Sequence, residues 1–194
     1  MRVEIFIFLV LSVACSVASA QYCGTLPGPA YAGPSNYRYT SRYRNYEFGF
    51  SLNIPHDLVG YAQAPPAPDH GVGILLSQEP RSYMYVGADW SSSEYESLVS
   101  AKRDHLEWIK KDSQAVISVK DLTASPRLFK SIRFLVRYTC PNSKLIYVYD
   151  ETIALREHEG IHYSFLLLTT DDRYPGDKRT LEKILRGWTM DPIK

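Results

Sequence analysis

The chain has 194 residues, with 22 Lys and Arg against 21 Asp and Glu, a formal net charge of +1 and 45% hydrophobic residues. So even a balance argues against a general nucleic-acid binder and against electrostatic attachment to an anionic membrane, and the length suits one domain with a sizeable core. No internal repeat, low-complexity tract or second long apolar segment is evident.

The chain opens with a short basic start, Met1-Arg2, an apolar run from Ile5 to Ala14, and the A-x-A triplet Ala18-Ser19-Ala20. This pattern predicts a secretory signal peptide over residues 1–20, with the mature chain starting at Gln21. The apolar run is shorter than the ~20 residues a bilayer span needs. Lipidation at Cys15 is the weaker reading, because Ser12 sits where a lipobox takes an aliphatic residue. The expected destination is therefore the periplasm or the extracellular space. Cleavage leaves Cys23 and Cys140, and an even pair in an exported protein predicts one disulfide.

Residues 21–44 carry three prolines, three glycines and no hydrophobic period, which predicts an irregular arm. From residue 45 to 190 the pattern is that of one α+β domain. In "YEFGFSLNI" the side chains of Tyr46, Phe48, Phe50, Leu52 and Ile54 alternate with polar or small ones, the period of a half-buried strand. The proline-rich loop "GYAQAPPAPDHG" follows, and "VGILLS" and "SYMYVGA" read as two further strands. A helix is expected over residues 93–112, opened by a Ser93/Glu96 capping box, with Tyr95, Leu98, Val99, Leu106 and Ile109 as its buried stripe. Lys102 interrupts that stripe and should snorkel, and His105 at its edge reads as a packed or solvated helix residue.

Four strands come next, "QAVISVKDL", "RLFKSIRFLVRYT", "KLIYVYDETIALR" and "IHYSFLLLTT", and then a helix over 177–188 with Leu181, Ile184, Leu185 and Trp188 as its seam. The order β-β-β-α-β-β-β-β-α is rich in hairpins, so the sheet of six or seven strands should be mainly antiparallel with helices packed on it.

One motif invites an enzymatic reading. His158-Glu159-Gly160-Ile161-His162 matches H-E-x-x-H, which binds catalytic zinc when a helix turns both imidazoles to one side. Here both flanks are rich in β-branched and aromatic residues, and "EHEG" between them is short, polar and ends in glycine, so the segment reads as a hairpin. The turn puts His158 and His162 on opposite limbs, leaving them only weak metal candidates. No nucleophile elbow, phosphate-cradling glycine loop or thiol–histidine pair occurs. Asp150 and Glu151 are neighbours on a strand, so they point to opposite faces and do not form a catalytic pair. No catalytic residue and no cofactor follow from the residues.

The stretch "YEFGFSLNIPHDL" is similar to the first strand of the PsbP-like group, and the layout through to "DKRTLEKILRGW" also resembles that group. The group includes the photosystem II extrinsic subunit P and bacterial DcrB-like exported proteins. The resemblance covers roughly residues 45–190 and implies an α/β/α sandwich around an antiparallel sheet, in proteins that mostly bind or assist partners. It brings no site residues with it.

The leading expectation is an exported, non-enzymatic protein that binds a protein or a cell-envelope component. Fifteen tyrosines in 194 residues is high, and tyrosine offers apolar area and a hydroxyl at low entropic cost. The candidate contact residues are Tyr37, Arg38 and Tyr39 of the arm, Pro65, Pro66, Asp69 and His70 of the loop, and Tyr83 and Tyr85 of a strand. A metal-dependent hydrolase using His158, Glu159 and His162 is the second reading, and a structural envelope protein the third.

Overall fold

A computed structural model describes residues 23, 38–62, 70–78, 80–90, 97–124 and 130–191. The proposed signal peptide, Tyr37, Pro65, Pro66, Asp69 and the Ser93/Glu96 pair lie outside the described residues.

The elements in chain order are β1 (Arg38–Tyr39), β2 (Arg42–Asn45), β3 (Phe50–Asn53), β4 (Gly60–Ala62), β5 (Gly71–Ser77), β6 (Ser82–Trp90), α1 (Leu98–Asp112), β7 (Ala115–Leu122), β8 (Lys130–Thr139), β9 (Ile146–Arg156), β10 (Ile161–Thr170), α2 (Tyr174–Arg186) and β11 (Thr189–Met190). The class is α+β, and the described strands outnumber those expected. The surplus comes from two sources. Arg38–Tyr39 and Arg42–Asn45, all but Asn45 within the arm read as irregular, form β1 and β2: Tyr43 is wholly buried, and β2 pairs with β3. The short β4 and β11 are too brief to leave a period in the sequence. Within "YEFGFSLNI" Phe48, Phe50, Leu52 and Ile54 are buried as expected, but Tyr46, expected with them, is 55% exposed, and Ser51, expected to face away, is buried. Residues 46–49 nevertheless form a turn, which leaves only 50–53 as strand.

An eight-stranded sheet runs β1-β4-β5-β6-β10-β9-β8-β7, and a three-stranded one runs β11-β3-β2. Every recorded pairing is antiparallel. After β6 the chain crosses the sheet as α1 to the far edge at β7. It then meanders back through β8 and β9, so that β10 pairs with β6. This detour stretches α1 over β7, β8 and β9.

Two cores follow from strand parity. On one face Val72, Met84, Val86, Tyr163, Phe165 and Leu167 pack with Tyr43, Phe50 and Leu52 of the small sheet and with Leu181 and Ile184 of α2. Trp188 meets Tyr163 and Phe165 edge-on at 5.6 and 5.4 Å, a geometry that aligns ring edge with ring face. The expected seam of the last helix is thus the one used, although α2 starts three residues earlier, with Pro in its first turn where no N–H is missed. On the other face Leu98, Ala101 and Ile109 of α1 pack with Phe134, Val136, Tyr138 and Tyr149.

Helix α1 departs from expectation at its start. Ser97 is the N-cap and closes a reciprocal capping box with Ser100, Ser100 N to Ser97 Oγ at 3.1 Å and Ser97 N to Ser100 Oγ at 3.0 Å. Val99, placed in the buried stripe from the sequence, is 71% exposed. The true seam uses the small Ala101 instead, which lets the helix backbone approach the sheet. Lys102 lies over the Phe134 ring and pairs with Asp121 on β7, the snorkelling geometry expected of it.

Cys23 and Cys140 are joined in a disulfide across 117 positions of sequence. The bond fastens Cys23 to the residue that directly follows β8.

Candidate functional site

Strand parity decides what lies under α1. On β9, Tyr149, Glu151 and Ile153 share the α1 face, while Asp150 points to the α2 side. The two adjacent carboxylates therefore serve separate networks, as their spacing requires. Asp150 accepts a bidentate pair from Arg133 at 2.8 and 2.6 Å and a third bond from Tyr174 at 2.8 Å.

Glu151 is only 1% exposed, and such a carboxylate must be paired or neutralised. Its partner is His105 of α1, which donates from Nδ1 to Glu151 Oε2 at 2.5 Å. The Tyr149 hydroxyl donates to the same oxygen at 2.7 Å, and Ser164 of β10 donates to Oε1 at 2.6 Å. Burial works against both ions. The charge and hydrogen bond of Glu151 nevertheless hold the His105 pKa above its ordinary 6.5. Burial likewise pushes Glu151 upward, but His105, Ser164 and Tyr149 outweigh it and hold the carboxyl below its ordinary 4.5. Each partner thus favours the charged form of the other.

Beside this network, where β6 meets β10, lies a cavity of about 360 Å³. That is within the size range of small-molecule and side-chain pockets, ~300–1,000 Å³. Tyr85, Trp108, Ile153 and Leu166 give it apolar walls, and Glu151 and Ser164 close its floor. His105 stacks on Trp108 with ring centres 5.1 Å apart. Gly87 makes the room, because a Cβ there would come within 2.3 Å of the Tyr85 hydroxyl.

His162 also lines the cavity, directly across the strand pair from Asp89. Burial lowers its pKa below 6.5, with the Asp89 charge opposing. His70 completes this end, with its Nδ1 3.7 Å from Asp89 Oδ1 and its ring stacked on Phe48 at 5.6 Å.

The H-E-x-x-H letters fall on a hairpin, as expected from their flanks. Residues 157–160 form the turn between β9 and β10, and Gly160 adopts φ 63°, a left-handed conformation that glycine takes without strain. His158 is exposed in that turn while His162 is inside β10. Glu159 pairs with Arg156 at 2.5 Å. The helical geometry of a zinc protease is not formed here.

Of the residues singled out from the sequence, His70 and Tyr85 meet at the cavity. Tyr83 is buried in the α1-side core. Arg38 lies over the Tyr61 ring at 5.5 Å, and Tyr39 packs against the α2-side core. Sequence reasoning missed His105, Glu151, Ser164 and Trp108. A signal for two of them was present. Tyr149, Glu151 and Ile153 place a carboxylate in the middle of an apolar face, and Ala101, His105 and Ile109 share one helix face at i, i+4, i+8.

No family model matches the chain, and no curated protein matches it. Among solved structures the chain is similar to cyanobacterial PsbP (CyanoP) from Synechocystis sp. PCC 6803, with TM-score 0.48, 13% identity, and coverage of 78% of this chain and 94% of that one. It is also similar to PA94, a protein of unknown function from Pseudomonas aeruginosa, with TM-score 0.43, 14% identity, and coverage of 78% and 97%. The likeness is one of layout, and neither partner nor activity comes with it.

Proposed function

We propose that the protein is an exported, non-enzymatic binding protein, and that the cavity beside α1 receives an uncharged aromatic group of a protein partner. The observation that carries this reading is the burial and engagement of Glu151. Three donors occupy its two oxygens, and its pKa is held low rather than raised toward neutrality. A general base needs an accessible lone pair and a pKa near the working pH; Glu151 has neither. The carboxylate instead fixes α1 against β9 and β10 and so keeps the apolar walls apart.

Those walls suit an aromatic group. Trp108, which lines the cavity, is 45% exposed, so a large ring stands at the rim, as at protein-recognition hot spots. His70 and Tyr85 belong to the contact set in this reading, and the arm and proline-rich loop extend it. Export rests on the N-terminal pattern and agrees with a disulfide.

Titration of isotope-labelled protein with indole, followed by amide chemical shifts, tests the reading. Shifts confined to Tyr85, Trp108, Ser164 and their neighbours, and lost in Trp108→Ala, are expected. Undisturbed spectra up to the solubility of indole would refute it.

A further inference from the structure

Three of the chain's five histidines, His70, His105 and His162, line the one cavity, together with the carboxylates of Asp89 and Glu151. Binding an aromatic group requires none of them to be histidine. We propose that the cavity is proton-gated: at neutral pH it selects uncharged or cationic aromatic groups, and once His162 takes up a proton it accepts aromatic carboxylates. This inference rests on the binding role proposed above and deepens it.

His162 is faced by charged and titratable groups from several elements. From β6 it faces Asp89, its direct cross-strand neighbour, at a separation where charges interact strongly. Its other cross-strand neighbour is the uncharged Leu155 on β9, and Glu151 lies on the same face of that strand. Helix α1 contributes His105, with Asp104 acting on that histidine. His70 comes from the segment before β5, Ser164 from β10 itself, and the hairpin turn carries His158 and the Arg156–Glu159 pair. Within the cavity His105 and Glu151 cancel, so Asp89 leaves an excess of one negative charge while His162 is neutral.

A proton on His162 offsets Asp89 and places a donor-bearing cation inside the wall. Histidine is the side chain that makes this change between about pH 5 and 8. His105 and Glu151 support each other's charge across a 2.5 Å hydrogen bond, so the gate is not assigned to that pair. His162 sits outside that pair and is the element that switches.

Three probes separate this proposal from the binding role itself: indole, tryptamine and indole-3-acetate, measured by calorimetry at about pH 7.5 and about pH 5.5. The expected result is that indole binds at both values while indole-3-acetate tightens about five- to tenfold on acidification, the effect of one nearby charge in a partly hydrated site. Tryptamine should weaken in parallel. His162→Gln should abolish the reversal and keep indole binding. Asp89→Asn, at an exposed position, should strengthen indole-3-acetate at about pH 7.5.

Indole binding with an unchanged preference between the two charged probes would overturn the gate and leave the binding role standing. Failure of all three probes at both pH values would overturn both.

Discussion

His105 and Glu151 stand 46 positions apart in sequence and meet at 2.5 Å, one on α1 and the other on the middle strand of the meander. Their contact joins the only helix on this face of the described sheet to β9, and Ser164 extends it to β10. Removing one partner of a buried ion pair leaves the other charge uncompensated, at about 3–5 kcal/mol. Glu151→Gln should therefore lower the free energy of unfolding in urea by about 3 kcal/mol. The double variant Glu151→Gln/His105→Asn should recover part of that loss. Additive losses would show that the two side chains are not coupled.

The same pair sets a pH window. Glu151 has a depressed pKa, so its contribution is present above the unfolded carboxyl value of about 4.3 and is lost as pH falls through its folded value. His105 has a raised pKa. Its contribution is complete below the unfolded value of about 6.5 and is lost as pH rises through its folded value. The pair thus contributes most between about pH 4.5 and 6.5. His162 acts in the opposite sense, because burial lowers its pKa and its contribution fades as pH falls below about 6.5. Thermal unfolding across pH should show His162→Gln gaining on the natural chain upon acidification, whereas His105→Asn should lose ground in the window. Parallel profiles for all three proteins would contradict these assignments.

Two glycines opposite each other on β5 and β6 should respond differently to a methyl group. A Cβ at Gly71 would lie 2.3 Å from the Val86 carbonyl oxygen and 2.5 Å from the Gly87 Cα, both backbone atoms that cannot rotate away. A Cβ at Gly87 would meet the end of the Tyr85 ring, which can. Gly71→Ala should separate the strands and cost about 1–3 kcal/mol. Gly87→Ala should cost less and instead push the Tyr85 phenol into the cavity, weakening indole binding. Equal stability losses would show that Tyr85 is not free to move.

Reducing the Cys23–Cys140 bond should cost about 2–4 kcal/mol, since it releases a loop of more than a hundred residues in the unfolded chain. Unfolding in denaturant with and without reductant measures this. An unchanged midpoint would show that the segment around Cys23 contributes nothing to stability.

Long periodic elements were legible from sequence because burial on one face imposes its period. β5 through β10 fall where alternation places them and both helices lie where the helical stripe indicates, though each starts elsewhere than expected, and the hairpin over 157–160 is announced by its polar, glycine-ended turn. The short β1, β2, β4 and β11 escaped because two to four residues cannot display a period. Val99 was misplaced for a different reason: the helix turns the small Ala101 to the sheet, and hydrophobicity alone does not reveal how closely two elements approach. The candidate site was hidden because its members come from α1, β6, β9 and β10, and only the β6–β10 pairing brings them together. His105 looked like an ordinary helix residue until Glu151 lay beneath it.

The central claim is that the cavity between Trp108, Tyr85 and Glu151 is a place for a ligand and not for chemistry at a metal. A single preparation tests it: metal content by mass spectrometry, then chemical-shift mapping with indole on the same sample. The account predicts no stoichiometric zinc, and shifts centred on Trp108 and Ser164. Stoichiometric zinc that disappears in His162→Ala, with no response to indole, would contradict it and favour a hydrolase.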